Sequence, residues 1–201
     1  MSVTVIPTLL GMGRWQPDAR ERMTRAAMEL FAERGFAQTT AGDIAQRAGV
    51  TERTFFRHFA DKREVLFDGS AVLQQHLVDA VAQAPAGLAP IDVVGHAFAD
   101  AATLLEERRD HARTRAAVIA ATTALQEREL LKMAALAAAV TVALRARGVA
   151  DPAAALAAQA GVSAFSIGFE LWVTDPSSAD LATRVRETLD QLRAVSVGGP
   201  A

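Results

Sequence analysis

Residues 40–62, TAGDIAQRAGVTERTFFRHFADK, place two short helix signatures on either side of the tripeptide AGV. Thr40, followed three residues later by Asp43, is a capping pair that begins one helix, and Thr51 is a capping residue for a second. Gly49 suits the left-handed backbone that ends the first helix. Two short helices joined by a three- to four-residue turn with a glycine are the pattern of a helix-turn-helix.

The second helix of this motif has an apolar side and a polar side. Phe55 and Phe59 are four residues apart, so they share one side and should face the core. In the first helix, a small and close-packing face is formed by Ile44, Ala45 and Ala48. A helix whose N-terminal residues are exposed can enter the major groove of DNA, where Arg pairs with guanine and Thr or Phe contacts a thymine methyl.

Residues at the edges of the motif are placed to meet the phosphates of the duplex. His58 and Lys62 follow the second helix, and Thr40 begins the first, so each can offer a side chain or a helix-terminal N–H group. For each residue, the alternative is a solvated polar side chain on a small helical bundle. The predicted DNA-binding set is Thr40, Thr51, Glu52, Arg53, Thr54, Phe56, Arg57, His58 and Lys62.

The segment TTAGDIAQRAGVTERTFFRHFADKREVL resembles the DNA-binding part of the TetR family of bacterial transcriptional repressors, over residues of about 18–67. The family pattern is met by Thr40, Ile44, Ala45, Ala48, Gly49, Val50, Thr54, Phe56, His58, Phe59 and Lys62. One position departs from it: Phe56 stands where the family commonly has a Tyr whose hydroxyl bonds to phosphate. The resemblance implies a repressor that binds a near-palindromic operator as a homodimer and has a second, ligand-binding domain.

The composition of the 201 residues favours an all-α protein, with 51% apolar and 22% charged residues and no alternating β-branched run. Capping signals predict about nine helices, the fourth running unbroken from Asp61 to Pro85. We expect a disordered arm over 1–13, a helix-turn-helix domain over 14–67, a ligand-binding and dimerisation domain over 68–196 and a disordered tail over 197–201. Residues 14–67 hold ten basic and eight acidic residues and the remainder eleven and fifteen, a mild asymmetry that permits a nucleic-acid partner for the first part.

Several function classes are disfavoured by what the sequence lacks. It has no cysteine and four scattered histidines, so neither disulfides nor a structural zinc site is expected. No phosphate-binding glycine loop or metal-ligand spacing supports an enzyme, and we expect no cofactor. The apolar run at 133–144 is too short to span a bilayer and is flanked by Lys132 and Arg145, so we expect a cytoplasmic protein with no membrane partner.

Two features of the larger half indicate a dimer. The predicted helix that ends near Thr174 is rich in Ala and Gly, and the last helix carries Leu and Val at three- to four-residue spacing. Packed against their symmetry mates, the two would form a four-helix interface. The alternative is that both are buried within the monomer. The predicted interface residues are Ala157, Gly161, Ala164, Gly168, Leu181, Val185, Leu189 and Leu192.

A ligand site is predicted from small and aromatic side chains in the same half. Small residues leave room for a tunnel, which Phe98, Phe165, Phe169 and Trp172 would line. Arg109 and Arg113 would hold phosphates at its mouth. The C-terminal half also resembles that of TetR regulators thought to sense acyl-coenzyme A, which implies a long-chain acyl-CoA ligand. The open alternatives are another hydrophobic drug or metabolite, sensed by a repressor of an efflux or catabolic operon, and a DNA-binding protein with no small-molecule ligand.

Overall fold

The computed structural model describes residues 18–175 and 179–197, and within these ranges the chain is all-helical, as predicted. Ten helices follow one another: α1 Ala19–Arg34, α2 Ala41–Arg47, α3 Glu52–His58, α4 Lys62–Leu66, α5 Ser70–Gln83, α6 Pro90–Glu106, α7 Arg109–Ala120, α8 Thr123–Ala146, α9 Ala153–Thr174 and α10 Leu181–Val197. The predicted disordered arm lies outside the described residues, as does the predicted tail apart from Val197.

The helix-turn-helix of α2 and α3 has the predicted local chemistry. The Thr40 hydroxyl accepts a hydrogen bond from the N–H of Asp43 at 3.1 Å, and the Asp43 carboxylate accepts one from the N–H of Thr40 at 2.8 Å. Gly49 has a φ of 67°, which a residue with a Cβ rarely adopts. Asp18 is the residue before α1, but its side chain makes no capping hydrogen bond there.

The prediction of one continuous helix from Asp61 to Pro85 is wrong. The chain turns between α4 and α5, where Gly69 has a φ of 86° and the Ser70 hydroxyl donates to the Phe67 carbonyl at 2.6 Å. Asp, Gly and Ser are turn formers, and at 68–70 they override the apolar periodicity that runs through the segment. The described chain therefore has one helix more than the sequence predicts.

Buried side chains form two separate clusters. One cluster contains the interior residues of α1–α4, and the other contains most interior residues of α5–α10. Three residues of the larger half belong to the first cluster: Val118 and Ile119 of α7 and Leu125 of α8. We call α1–α4 the N-terminal module. Its core is thus completed by residues from the larger half. The side chains therefore pack together across the boundary that the sequence predicts at residue 67.

The dimer residues predicted on α9 and α10 are mostly buried within one chain, which favours the monomer-core alternative for them. A Cβ built on Gly161 would lie 2.0 Å from Cγ1 of Val94 and 2.9 Å from Cε2 of Phe98, both on α6. One on Gly168 would lie 3.1 Å from the backbone N of Val185 on α10. Besides those glycines, the buried members are Ala157, Ala164, Leu181, Val185 and Leu189. Leu192 alone remains exposed.

Helix α9 is also the most membrane-like segment of the described chain. By length and composition alone it could cross a bilayer, and 44% of its most apolar window is buried inside the fold. It packs against α6, α8 and α10. These contacts make α9 the central helix of the larger half.

The contact at Gly161 yields a stability test. Because a Cβ there would overlap Val94 and Phe98, Gly161→Ala should destabilise the fold by roughly 1–3 kcal/mol through overpacking. Ser163→Ala, on the exposed side of the same helix, is the control and should change stability by less than about 0.5 kcal/mol. Urea unfolding measures both. An unchanged midpoint for Gly161→Ala would contradict the packing of α9 on α6.

Candidate nucleic-acid interface

Two phenylalanines fix the orientation of α3. Phe55 and Phe59 are both buried, as predicted, and their ring centroids lie 5.4 Å apart. Because they hold one side of the helix against the core, the opposite side faces water. Arg53 and Arg57 are exposed there, and Phe56 has 53% of its surface exposed.

The arginines on this outward side are not engaged elsewhere in the described part of the chain. Arg53 and Arg57 form neither a hydrogen bond nor an ion pair with another described residue, whereas Arg20 pairs with Asp68 at 2.6 Å and Arg47 with Glu33 at 2.8 Å. Guanidinium groups without partners on an exposed helix can pair with base edges or phosphates. Glu52 is also exposed on α3, where its carboxylate adds negative charge.

Threonines of the predicted set have a structural duty as helix caps. The Thr51 hydroxyl accepts a hydrogen bond from the N–H of Thr54 at 3.2 Å, and the hydroxyl oxygens of the two residues are 3.0 Å apart. The Thr40 hydroxyl donates to the Asp43 carboxylate at 2.6 Å. Hydrogen bonds from the Thr40 hydroxyl and N–H hold the pKa of Asp43 below its ordinary value. Any DNA contact by these threonines would have to coexist with capping.

Lys62 does not fit the role predicted for it. Its Nζ donates to the carbonyl oxygens of Phe36 at 2.7 Å, Ala37 at 3.4 Å and Thr39 at 2.7 Å. The ammonium group also lies 4.4 Å from the centre of the Phe36 ring, and burial lowers its pKa. All three donors of the ammonium are thus directed to the loop before α2. We replace the predicted phosphate contact with a structural role, in which Lys62 ties that loop to α4.

His58 is half-buried, and one of its ring nitrogens is shielded from solvent. Its Nε2 is buried and has no hydrogen-bond partner among the described residues. The side chain borders a crevice of about 210 Å³ that Arg20, Glu64 and Asp68 also line. Because its Nε2 is shielded from solvent, the predicted phosphate contact from that atom is wrong.

The predicted ligand tunnel is closed in this structure. Phe98, Phe165 and Trp172 are buried, and Phe169 bridges them, with successive ring centroids 5.5, 6.2 and 5.8 Å apart. These four rings form a packed core and leave no lined tunnel between them. A polar groove of about 420 Å³ lies elsewhere, between α6 and α10.

The predicted phosphate-binding arginines instead hold the end of α9. Arg109 donates to the carbonyl oxygens of Trp172 at 2.7 Å and Asp175 at 2.8 Å, and Arg113 donates to that of Val173 at 2.9 Å. The last carbonyls of a helix lack partners within the helix and carry partial negative charge. Arg109 and Arg113 satisfy them, so the predicted phosphate role is corrected to helix capping.

The sequence reasoning also missed how the N-terminal module is held. Val118, Ile119 and Leu125 complete its core, and Arg115 of α7 donates to the carbonyl of Leu66 in α4 at 2.6 Å. The apolar spacing of α7 was visible in the sequence. Nothing local, however, shows that this spacing belongs to a different core from the one formed by the neighbouring helices.

An exposed, arginine-bearing α3 that is joined to α2 by a glycine turn and held by buried Phe55 and Phe59 defines a helix-turn-helix DNA-binding protein. Residues 24–68 match the family described as "Bacterial regulatory proteins, tetR family", and residues 88–196, more than half of the chain, match the "MftR C-terminal domain" of TetR-type regulators. The chain belongs to the TetR family of transcriptional regulators, which bind DNA.

Curated relatives are similar over part of the chain. The HTH-type transcriptional regulator TcmR of Streptomyces glaucescens is 38% identical over 79 residues, covering 39% of this chain and 35% of TcmR. The HTH-type transcriptional activator FasR of Mycolicibacterium smegmatis is 39% identical over 70 residues, covering 33% and 31%. The aligned segments thus span about a third of these relatives' lengths. Both names describe proteins that regulate transcription.

Solved structures share the fold over most of the chain. SmeT in complex with triclosan has a TM-score of 0.64 at 23% identity, covering 88% of this chain and 90% of SmeT. FadR from Bacillus subtilis in complex with stearoyl-CoA has a TM-score of 0.60 at 19% identity, covering 86% and 96%. At these identities the likeness establishes the architecture alone.

The structural role of Lys62 can be separated from a phosphate contact. Lys62→Met should lower stability by roughly 1–3 kcal/mol, because three backbone carbonyls lose a charged donor. Arg57→Met is the control and should leave stability within about 0.5 kcal/mol, since Arg57 is exposed and unpaired among the described residues. Chemical unfolding measures both. If Lys62→Met reduced the salt dependence of DNA binding by about one counterion, that result would support the predicted phosphate contact and contradict a purely structural role for Lys62.

Proposed function

We propose that the protein is a ligand-responsive repressor that acts in the bacterial cytoplasm and binds a near-palindromic operator as a homodimer. The observation that carries this proposal is the outward side of α3, where the exposed ring of Phe56 lies with Arg53 and Arg57, which pair with no described residue, on a helix held by buried Phe55 and Phe59. Arginine suits guanine edges or phosphates, and an exposed phenyl ring suits a thymine methyl. Phe56 has no hydroxyl, so its contact is with apolar atoms.

The remaining predicted residues have supporting parts in this proposal. Thr51 and Thr54 keep the first turn of α3 in place, and Thr40 does the same for α2. Their hydroxyls already hydrogen bond within the protein, so we assign them to positioning first and to phosphate contact second. Glu52 disfavours close approach of a phosphate at the start of α3, which helps to set the register of the helix in the groove.

For the homodimer we propose a different surface from the one predicted. On α9 the exposed apolar residues Leu156, Ile167 and Leu171, at 66%, 51% and 46% of their surface, follow one another at helical spacing on the side away from the core. On α10, Leu192 and Val195 are also exposed. Pairing these faces about a two-fold axis would cover them. A protein that sediments as a monomer at micromolar concentration would contradict the dimer.

For the ligand we propose an elongated apolar molecule that enters by separating the packed rings of Phe98, Phe165 and Phe169. The support is chemical: these rings lie in a helix bundle lined by alanine and glycine, so few polar groups resist an apolar guest. Stearoyl-CoA in FadR and triclosan in SmeT supply two ligand classes to compare. Arg109 and Arg113 cap α9, so we no longer assign them to a phosphate group.

The DNA-reading residues are tested on an operator selected from random duplexes by the wild-type protein. Arg53→Ala or Arg57→Ala should weaken binding to that operator by roughly 1–3 kcal/mol where the side chain reads a base, with less loss on random DNA. Arg186→Ala, an exposed arginine of α10, removes the same charge away from α3 and should have little effect. Equal losses on selected and random DNA for both α3 variants would mean that neither arginine reads a base.

The sensing role is tested by titrating the protein–operator complex with stearoyl-CoA, free stearate and triclosan. We expect one of them to weaken operator binding by about 5- to 150-fold, the usual range of allosteric coupling. A response to stearoyl-CoA alone supports acyl-CoA sensing, and a response to triclosan alone supports a drug-type ligand. If none changes the affinity, the DNA-binding part of the proposal stands and this ligand assignment falls. If the complex is strengthened, the protein is not released by its ligand.

A further inference from the structure

Two cation–π contacts to one ring lie where the N-terminal module joins the rest of the chain. Phe67 follows α4 directly and is buried. The guanidinium carbon of Arg115, from α7, is 5.2 Å from the centre of its ring, and that of Arg128, from α8, is 4.9 Å away. Both distances are within the range of cation–π attraction. Phe67 is therefore held by two charged groups from the larger half.

The same two arginines also bind α4 itself. Arg115 donates from Nε to the carbonyl oxygen of Leu66 at 2.6 Å, and Arg128 forms an ion pair with Glu64. A cation at the C-terminal carbonyls of a helix is favoured by the partial negative charge there. The two arginines thus contact Glu64 and Leu66 of α4 and Phe67 directly after it. We call this arrangement the arginine clamp.

Glu129 binds Arg115, one of the two arginines of the arginine clamp. Its carboxylate accepts hydrogen bonds from Arg115 Nη2 at 2.5 Å and from Lys132 Nζ at 2.9 Å. The side chains of Arg115, Glu129 and Lys132 are only 14%, 24% and 16% exposed. Burial acts to raise the pKa of Glu129, but the hydrogen bonds and charges of Arg115 and Lys132 outweigh it and leave the pKa below its ordinary value. The carboxylate is therefore ionised at neutral pH.

The position of the arginine clamp matters because the chain changes direction beside it. Gly69, with its left-handed backbone, separates α4 from α5. Apolar contacts of Val118, Ile119 and Leu125 also hold the module, but the hydrophobic effect behind them is non-directional. A planar guanidinium fixed by a carboxylate on one side and a carbonyl on the other has a defined direction. The arginine clamp is thus suited to set the angle between the N-terminal module and the larger half.

We propose that Glu129 is a positioning residue, which holds Arg115 against Leu66 and Phe67 and thereby sets the angle of the N-terminal module. This inference rests on the proposed homodimer bound to a two-part operator. In that dimer, the angle of each module sets the separation of the two α3 helices. Both helices must fit grooves in register, at half-sites separated by whole turns of about 10 bp. Glu129 would then determine how strictly the protein measures the spacing of its operator.

The test compares binding to three duplexes: one half-site, the operator selected by the wild-type protein, and the same operator with one base pair inserted at its centre. Glu129→Gln keeps the shape of the side chain and removes its charge. We expect half-site affinity to stay within about twofold, while the ratio of affinities for the correct and lengthened operators falls at least about fivefold. Glu127→Gln, on the exposed side of α8, is the matched control and should keep the wild-type ratio.

A second variant guards against a folding defect. Arg115→Lys keeps the positive charge but removes the planar guanidinium that joins Glu129 to Leu66, and thermal unfolding of both variants identifies any that is not folded at the assay temperature. If a folded Glu129→Gln loses affinity equally for all three duplexes and keeps the wild-type ratio, the positioning role is overturned; should that variant not fold, the same result with Arg115→Lys overturns it. If the wild-type protein selects no operator, the proposed function fails first, and the spacing role fails with it.

Discussion

Burial of Phe55 and Phe59 is the constraint on which the candidate interface depends. Phe55 lies within the seven-residue α3 and Phe59 follows it directly, so together they fix how α3 lies on α1 and α2. The side that faces water is then decided by geometry, whatever the remaining residues are. The exposed ring of Phe56 costs little because its edge packs against Phe55, with centroids 5.4 Å apart. Short capping bonds around the turn hold the backbone in the form that this packing requires.

Local signals predicted the helix-turn-helix well because its determinants lie within a few residues of one another. The capping pair of Thr40 and Asp43 and the left-handed Gly49 need no distant partner. The break at Gly69 was missed because an apolar period continues across it. On α9, small residues correctly indicated close helix approach, but composition cannot show whether the approaching helix belongs to the same chain. At Gly161 that helix is α6, fifty or more residues earlier in the chain.

Cations were the least predictable part of the chain, for one physical reason. Carbonyl groups left over at helix ends and in loops must find donors when they are buried. Lys62, Arg109 and Arg113 lie near such carbonyls in the fold and are taken up by them. Arg53 and Arg57 lie on the side of α3 that faces water, where they hydrogen bond to no carbonyl among the described residues and stay exposed. In the sequence, these two groups of cations look alike.

The core of the N-terminal module reaches beyond the segment that contains its helices, and this limits how the protein can be recombined. A new regulator arises when a DNA-binding domain is joined to a different ligand-binding domain, either in evolution or in a designed chimera. Here a cut at residue 67 would remove Val118, Ile119 and Leu125 from the core of the N-terminal module. A working graft must therefore carry over the tip of the α7–α8 hairpin as well, so the transferable unit is discontinuous in sequence.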